Sequence, residues 1–136
     1  MQVVNPHFLD LFLRPLTGLA DDDEAIAYYK EIELLTEEQY KAVIRETLVE
    51  HFNNLEEVEQ RKSKLALSYY LTEAEIDFER VFYSLLPPFD APSNARDFFV
   101  WLWEELFDGE SFELKDAESY KVVADMYEPL RSSEKK

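Results

Sequence analysis

Residues 96–108 read RDFFVWLWEELFD, and this segment carries the clearest helical pattern in the chain. On a helical wheel its large apolar side chains share one broad face, as expected of a helix that packs on a core. Ser93 or Asn94 before the segment predicts an N-cap, and Gly109 stands where a left-handed residue commonly ends a helix. The side chains on the apolar face are Phe98, Phe99, Val100, Leu102, Trp103, Leu106 and Phe107.

Trp101 does not join that face and is predicted to project among carboxylates. An aromatic ring surrounded by acids is typical of a hot spot for a basic partner, because the ring supplies contact area while the acids pair with lysine or arginine. The alternative is that Trp101 packs under a neighbouring helix or loop, such as residues 87–92, and donates its indole N–H there. The surrounding acids are Asp97, Glu104, Glu105 and Asp108.

Helix starts also recur in the N-terminal half of the chain. Asn5 before Pro6 predicts the cap and first residue of a short helix. Residues 36–39, TEEQ, form a capping box. The apolar residues that follow fall on one face of a helix over residues 37–71, so this segment is compatible with one long helix. The Asn53-Asn54 pair favours a break, since asparagine is unfavourable inside a helix.

The C-terminal half predicts three helices, the central one being residues 96–108. Residues 72–75, TEAE, form a second capping box before a helix that Pro87 ends. Asp116 is predicted to cap a last helix that carries Val123 and is closed by Pro129.

No segment shows sustained alternation of apolar and polar residues, the pattern of a half-buried strand. We therefore predict an all-α fold, a compact single-domain bundle of about six or seven helices. The domain is predicted to occupy residues 1–130, and residues 131–136 are predicted to be a disordered tail.

The charge of the chain is its strongest compositional signal. Its 136 residues include 30 acidic and 14 basic side chains, a formal net charge of −16. Such a field repels nucleic acid and anionic membranes and steers basic partners toward the surface. The alternative is that the acidity serves only solubility.

The composition argues against the common catalytic motifs. Two glycines are too few for a phosphate-binding loop, and the absence of cysteine excludes thiolate nucleophiles and thiolate metal sites. The two histidines, His7 and His51, have no metal-binding spacing, and His51 is predicted to be a core-edge residue with a hydrogen-bond partner. We expect no cofactor, no metal and no enzymatic activity.

A second acidic group lies near the N-terminus, at Asp21, Asp22, Asp23 and Glu24. Carboxylates at the start of a helix face its positive end, so helix capping is one interpretation. Contact with a cationic partner is the other. The run lacks the alternating ligands and the glycine of a calcium-binding loop.

These features lead to an expected function. The N-terminus lacks a signal-peptide pattern and no stretch reaches about 20 apolar residues, so a cytoplasmic, membrane-free protein is expected. In size, acidity and composition the chain resembles bacterial immunity proteins, although no motif matches residue by residue. We expect an inhibitor that occludes the cationic site of a basic protein, such as a nuclease toxin. The alternative is a regulatory adaptor or anti-factor that binds through a hydrophobic face, possibly as a homodimer.

Overall fold

The computed structural model describes residues 3–32, 36–73 and 76–125. A π-helical turn, Ile44–Leu48, joins the helical segments Glu37–Val43 and Val49–Asn53 without a break, so the seven α-helical segments of these residues make six helices. The prediction of an all-α helical bundle is confirmed. The predicted tail at residues 131–136 lies outside the described residues. The α-helices are α1 (Leu9–Phe12), α2 (Asp23–Ile32), α3 (Glu37–Val43), α4 (Val49–Asn53), α5 (Glu57–Glu73), α6 (Phe78–Ser84) and α7 (Ala95–Leu106).

Helix α7 occupies the centre of the bundle and contacts α3, α5, α6 and the π-helical turn. Its predicted apolar face is buried, with Phe98, Phe99 and Leu102 fully enclosed. Trp103 and Phe107 extend the same face, while Val100 and Leu106 are partly buried against it. The pattern of residues 96–108 therefore predicted this helix and its buried face correctly.

Three predicted helix starts are confirmed by their hydrogen bonds. The Asn5 side chain accepts the N–H of His7 and caps a 3₁₀ turn that leads into α1. Thr36 and Gln39 form both bonds of the capping box at α3. Asn94 caps α7 by accepting the N–H of Arg96.

The break predicted at Asn53-Asn54 is present, because α4 ends at Asn53 and α5 begins at Glu57. At the start of α5 the Glu59 carboxylate accepts the N–H of Glu56 at 3.1 Å. This interaction fixes the new helix start.

The capping box predicted at residues 72–75 is wrong. Helix α5 continues through Thr72 to Glu73, and α6 begins later, capped by Asp77. The Thr72 hydroxyl donates to the carbonyl oxygen of Phe112 at 3.2 Å and accepts the N–H of Leu114 at 2.9 Å. A tertiary contact therefore uses the hydroxyl that the local pattern assigned to a cap.

The last helix predicted from Asp116 is also wrong in the described residues. A 3₁₀ turn, Ala117–Ser119, is followed by strand β2 (Lys121–Val122), which pairs in parallel with β1 (Val3–Val4). The N–H of Val123 donates to the carbonyl oxygen of Val4 at 2.9 Å. Pairing with the N-terminal strand thus overrides the local helical pattern, since its partner lies at the other end of the chain.

Burial of Tyr70 on α5 makes the free energy of unfolding depend on pH in the alkaline range. Burial, with a smaller contribution from Tyr69, raises the pKa of the Tyr70 hydroxyl from 10.0 to about 12. In the unfolded chain this hydroxyl ionises at lower pH, so its contribution to stability is intact below about pH 10 and is lost as the pH rises toward 12.

We therefore expect the urea midpoint of the wild-type protein to fall faster between about pH 10 and 12 than that of the Tyr70→Phe variant. The variant has no Tyr70 hydroxyl to ionise. Tyr29 and Tyr40 also have raised pKa values, but they are present in both proteins and so affect both stabilities alike. Equilibrium unfolding at a series of pH values measures the difference. Parallel curves for the two proteins would contradict this assignment.

Candidate functional site

The C-terminal turn of α7 shapes an acidic concave surface. The helix ends at Leu106, where the N–H of Phe107 donates to the carbonyl oxygen of Trp103 at 2.8 Å. Gly109 then adopts a left-handed conformation with φ of 84°, as its sequence position predicts. This turn brings Asp108 and Glu110 beside the last residues of the helix.

We call the resulting concavity the acidic groove. It encloses about 420 Å³ and combines four carboxylates with one lysine. Three of the four acids predicted to surround Trp101 line it, whereas Trp101 and Asp97 do not. The lining residues are Lys41, Glu104, Glu105, Phe107, Asp108, Gly109 and Glu110.

Trp101 lies one helical turn before the groove and is partly buried. Its ring packs on Tyr40 of α3, with 5.6 Å between ring centroids. The Tyr40 hydroxyl donates to the carbonyl oxygen of Asp90 at 2.8 Å. Trp101 therefore rests against a neighbouring helix, as the alternative interpretation held, but its ring is not fully enclosed.

The two indole N–H groups have different surroundings. Trp103 is buried and donates to the carbonyl oxygen of Glu110 at 2.8 Å. The Trp101 N–H makes no hydrogen bond with a residue in the described part of the chain. Trp101 thus combines an anchored ring face with a donor that a partner could engage.

Cations from α3 and the π-helical turn hold the carboxylates of α7. Lys41 lies 3.2 Å from Glu104 and 3.0 Å from Glu37. Arg45 lies 2.8 Å from Glu105 and also pairs with Glu38 at 3.6 Å. Two of the acids predicted to surround Trp101, Glu104 and Glu105, are thus paired within the chain, which a wheel drawn for α7 alone could not show.

Hydrogen bonding fixes the charge of Lys41. The bond to Glu37 is the main cause of a raised Lys41 pKa, and Glu104 adds to it while partial burial opposes it. Lys41 therefore stays protonated at neutral pH and bridges α3 to α7.

On the far side of the groove Lys64 pairs with Glu110 at 2.8 Å. Asp108 is exposed and has no ion-pair partner within residues 3–32, 36–73 and 76–125.

The second predicted group of acids lies apart from the groove. Asp21 ends a 3₁₀ turn and Asp23 begins α2. The Asp22 carboxylate accepts the N–H groups of Glu24 at 3.0 Å and Ala25 at 3.1 Å. Helix capping therefore accounts for Asp22, while all three aspartates remain exposed.

A chain of aromatic contacts connects the two acidic regions. The Tyr40 ring, which packs on Trp101, lies 6.2 Å from the Phe89 ring. Phe89 lies 5.0 Å from Tyr29 on α2, and Tyr29 lies 5.0 Å from Tyr28. These rings form a continuous path from α7 to α2.

The remaining sites considered in the sequence have structural explanations. The His51 ring nitrogen Nε2 is 2.8 Å from the carbonyl oxygen of Leu11, which confirms a core-edge histidine with a hydrogen-bond partner. Among the residues with described positions, no three His, Asp or Glu side chains group as a metal site would require. The same residues include no helix with the length and apolar character needed to cross a membrane.

Sequence reasoning missed the π-helical turn. Its Thr47 hydroxyl donates to the carbonyl oxygen of Val43 at 2.6 Å, and the turn contacts α7. π-Helical turns are rare in proteins, and those that occur are often found at functional sites. No residue pattern marked it, because the turn differs from an α-helix only in its backbone hydrogen bonds.

Comparison with known proteins identifies no relative of this chain. No protein-family model matches the sequence, and neither a curated protein nor a solved structure matches it.

Proposed function

We propose that this protein binds a basic partner protein and neutralises it by occluding its cationic site, as an immunity protein does with a nuclease toxin. The observation that carries the proposal is the placement of Trp101 one turn before the acidic groove on α7. A half-buried ring beside several carboxylates matches the composition of binding hot spots for basic surfaces.

The ion pairs of the groove support a binding role. Lys41 and Arg45 orient the carboxylates of Glu104 and Glu105 before any partner arrives. Each pair joins a half-exposed side chain to a largely covered one, and ion pairs at a protein surface contribute only about 0–1 kcal/mol, so a partner arginine can share or replace them. Asp108 adds a carboxylate with no competing cation in the described residues.

The net charge supports an electrostatic mode of association. With 30 acidic and 14 basic residues, carboxylates outnumber cations across the chain. A field of this sign raises the encounter rate with a basic protein, and added salt screens it at distances beyond a Debye length, about 10 Å at 0.1 M. We place the protein in the cytoplasm, as its sequence suggests, and propose a binding rather than a catalytic role.

A charge-removal experiment tests the groove. The partner is first captured from lysate at low ionic strength, and its association rate is then measured at several salt concentrations. We expect Glu104→Gln/Glu105→Gln/Asp108→Asn to lower the low-salt association rate at least about tenfold. The matched control, Glu79→Gln/Asp116→Asn/Glu118→Gln, removes equal charge from exposed sites outside the groove lining and should have a smaller effect.

Trp101→Ala tests the anchor in the same assay. We expect a loss of affinity of at least about tenfold, equivalent to about 1.4 kcal/mol, carried mainly by a faster dissociation rate. The variant should melt earlier, since the ring packs on Tyr40, but it should stay folded by circular dichroism.

Equal losses for the groove triple variant and its control, or capture of no basic protein, would refute the proposed function.

The alternative function is a regulatory adaptor or anti-factor that binds through a hydrophobic face. The exposure of Tyr28, Tyr83 and Leu86 favours it as a second candidate. Salt separates the two, because a hydrophobic contact should associate at nearly the same rate at low and high ionic strength.

A further inference from the structure

The ammonium group of Lys64 lies against two aromatic rings and a carboxylate. Its nitrogen Nζ is 4.7 Å from the ring centroid of Phe107 and 5.8 Å from that of Trp103. It is also 2.8 Å from the carboxylate of Glu110. A cation in this position is attracted by both kinds of group, because ring faces and carboxylates are negative. We call these two rings and the carboxylate the cation site, which Lys64 occupies.

Hydrogen bonds of the turn after α7 hold the cation site in place. The Trp103 indole N–H donates to the carbonyl oxygen of Glu110 at 2.8 Å. The N–H of Glu110 donates to the carbonyl oxygen of Phe107 at 2.9 Å. Both rings are buried. The fold therefore fixes the rings and the Glu110 backbone, whereas Lys64 reaches them on a flexible side chain from α5.

The cation site lies at the edge of the acidic groove. Phe107 and Glu110 line the groove. Glu110 and Trp103 also line a second concavity of about 300 Å³, which includes Lys64. The two concavities therefore meet at Glu110. The side chains of Lys64 and Glu110 are 37% and 55% exposed, so a partner can reach the contact between them.

The charges around the cation site favour approach from the groove. The groove lining has four carboxylates against the single cation of Lys41. The second concavity instead contains Arg61, an exposed cation one turn before Lys64 on the same face of α5. A positively charged side chain is therefore attracted to Glu110 along the groove and repelled on the side of Arg61.

We infer that Lys64 is an intramolecular competitor, which occupies the cation site until an arginine side chain of the basic partner displaces it. The inference rests on the proposed function in taking the partner to be basic and its contact to be the acidic groove. An arginine guanidinium is planar, is less strongly hydrated than an ammonium and pairs with a carboxylate through two N–H groups. It therefore gains more from the rings and from Glu110 than Lys64 does.

Two short peptides test the preference for arginine. One contains four arginines and the other four lysines, and both have blocked termini. Binding is measured by calorimetry at low ionic strength, and NMR follows the Trp103 indole N–H, which bonds to Glu110 and so reports on the cation site. We expect the wild-type protein to bind the arginine peptide at least about threefold more tightly, with a shift of this signal.

Removal of Lys64 is expected to strengthen binding. Lys64→Met empties the cation site and should tighten the arginine peptide at least about tenfold. The matched control is Lys30→Met, which removes the same charge from an exposed lysine of α2 that has no ion-pair partner in the described chain. This control should change the affinity less than about threefold, since the cation site stays occupied.

A double variant assigns the gain to the cation site. Lys64→Met/Glu110→Gln restores the net charge of the wild type but leaves the site without its carboxylate, so most of the gain should be lost. Lys64→Gln removes the same charge with a polar side chain and should tighten binding as Lys64→Met does. Agreement between these two variants, with circular dichroism of the wild type, excludes a folding defect as the cause.

The possible failures are distinguishable. Equal binding of the two peptides to the wild-type protein would overturn arginine as the displacing group. A gain in Lys64→Met no larger than in Lys30→Met, or one that survives Glu110→Gln, would overturn the role of Lys64 and leave the acidic groove standing. Failure of the wild type and both lysine variants to bind either peptide at low ionic strength would count against the proposed function itself.

Discussion

Replacing Phe98 by alanine is expected to destabilise the protein by about 4 kcal/mol. Phe98 is fully buried on α7, and its ring contacts those of Tyr40, Phe82, Phe89 and Phe99 at centroid distances of 5.2 to 6.4 Å. Alanine would leave a cavity among four aromatic rings that cannot all move inward. Because small domains are stable by roughly 5–15 kcal/mol, this is a large share of the total.

Thermal and urea unfolding measure the effect of Phe98→Ala. The midpoint temperature should fall by roughly 15 °C for a domain of this size. Val100→Ala is the matched control, since Val100 lies on the same helix but is partly exposed, and about 1 kcal/mol or less is expected there. Similar losses at both positions would contradict the central place of α7 in the core.

Asn5→Ala is expected to cost about 2–3 kcal/mol, more than a helix cap alone. The Asn5 side chain is 4% exposed, accepts the N–H of His7 at 3.0 Å and donates to the carbonyl oxygen of Asp125 at 2.8 Å. Alanine removes the cap and leaves the carbonyl group of Asp125 without this donor. It should also loosen the pairing of β1 with β2.

Asn94→Ala provides the comparison for Asn5. Asn94 also caps a helix, but it is exposed, so about 1 kcal/mol is expected. Hydrogen exchange of the Val123 N–H, which bonds to Val4, should accelerate in Asn5→Ala and not in Asn94→Ala. Equal stability losses together with unchanged exchange would show that the link to Asp125 contributes nothing.

Local patterns predicted most helix starts because the physics of a cap spans only a few residues. Asn5, Thr36 and Asn94 each satisfy backbone N–H groups within three positions of themselves. The break at Asn53-Asn54 follows from the same short-range preference. The patterns failed at Thr72 and after Asp116, where the partners lie 40 or more residues away.

The candidate site was predicted in part. Sequence placed Trp101, Glu104, Glu105 and Asp108 together because they lie close to one another along α7 and the turn that follows it. It could not place the lysine and arginine that pair with them, which come from α3 and the π-helical turn.

By itself the sequence determined the helical class, the core face of α7 and the strong negative charge, because periodicity, capping and composition act within a few residues or over the whole chain at once. Only the tertiary structure decided which carboxylates are paired, that Trp101 rests on Tyr40, and that residues 3–4 pair with residues 121–122 in a small sheet. The physical reason is that ion pairs, ring contacts and strand pairing join residues by distance in space, which depends on how all the helices pack together.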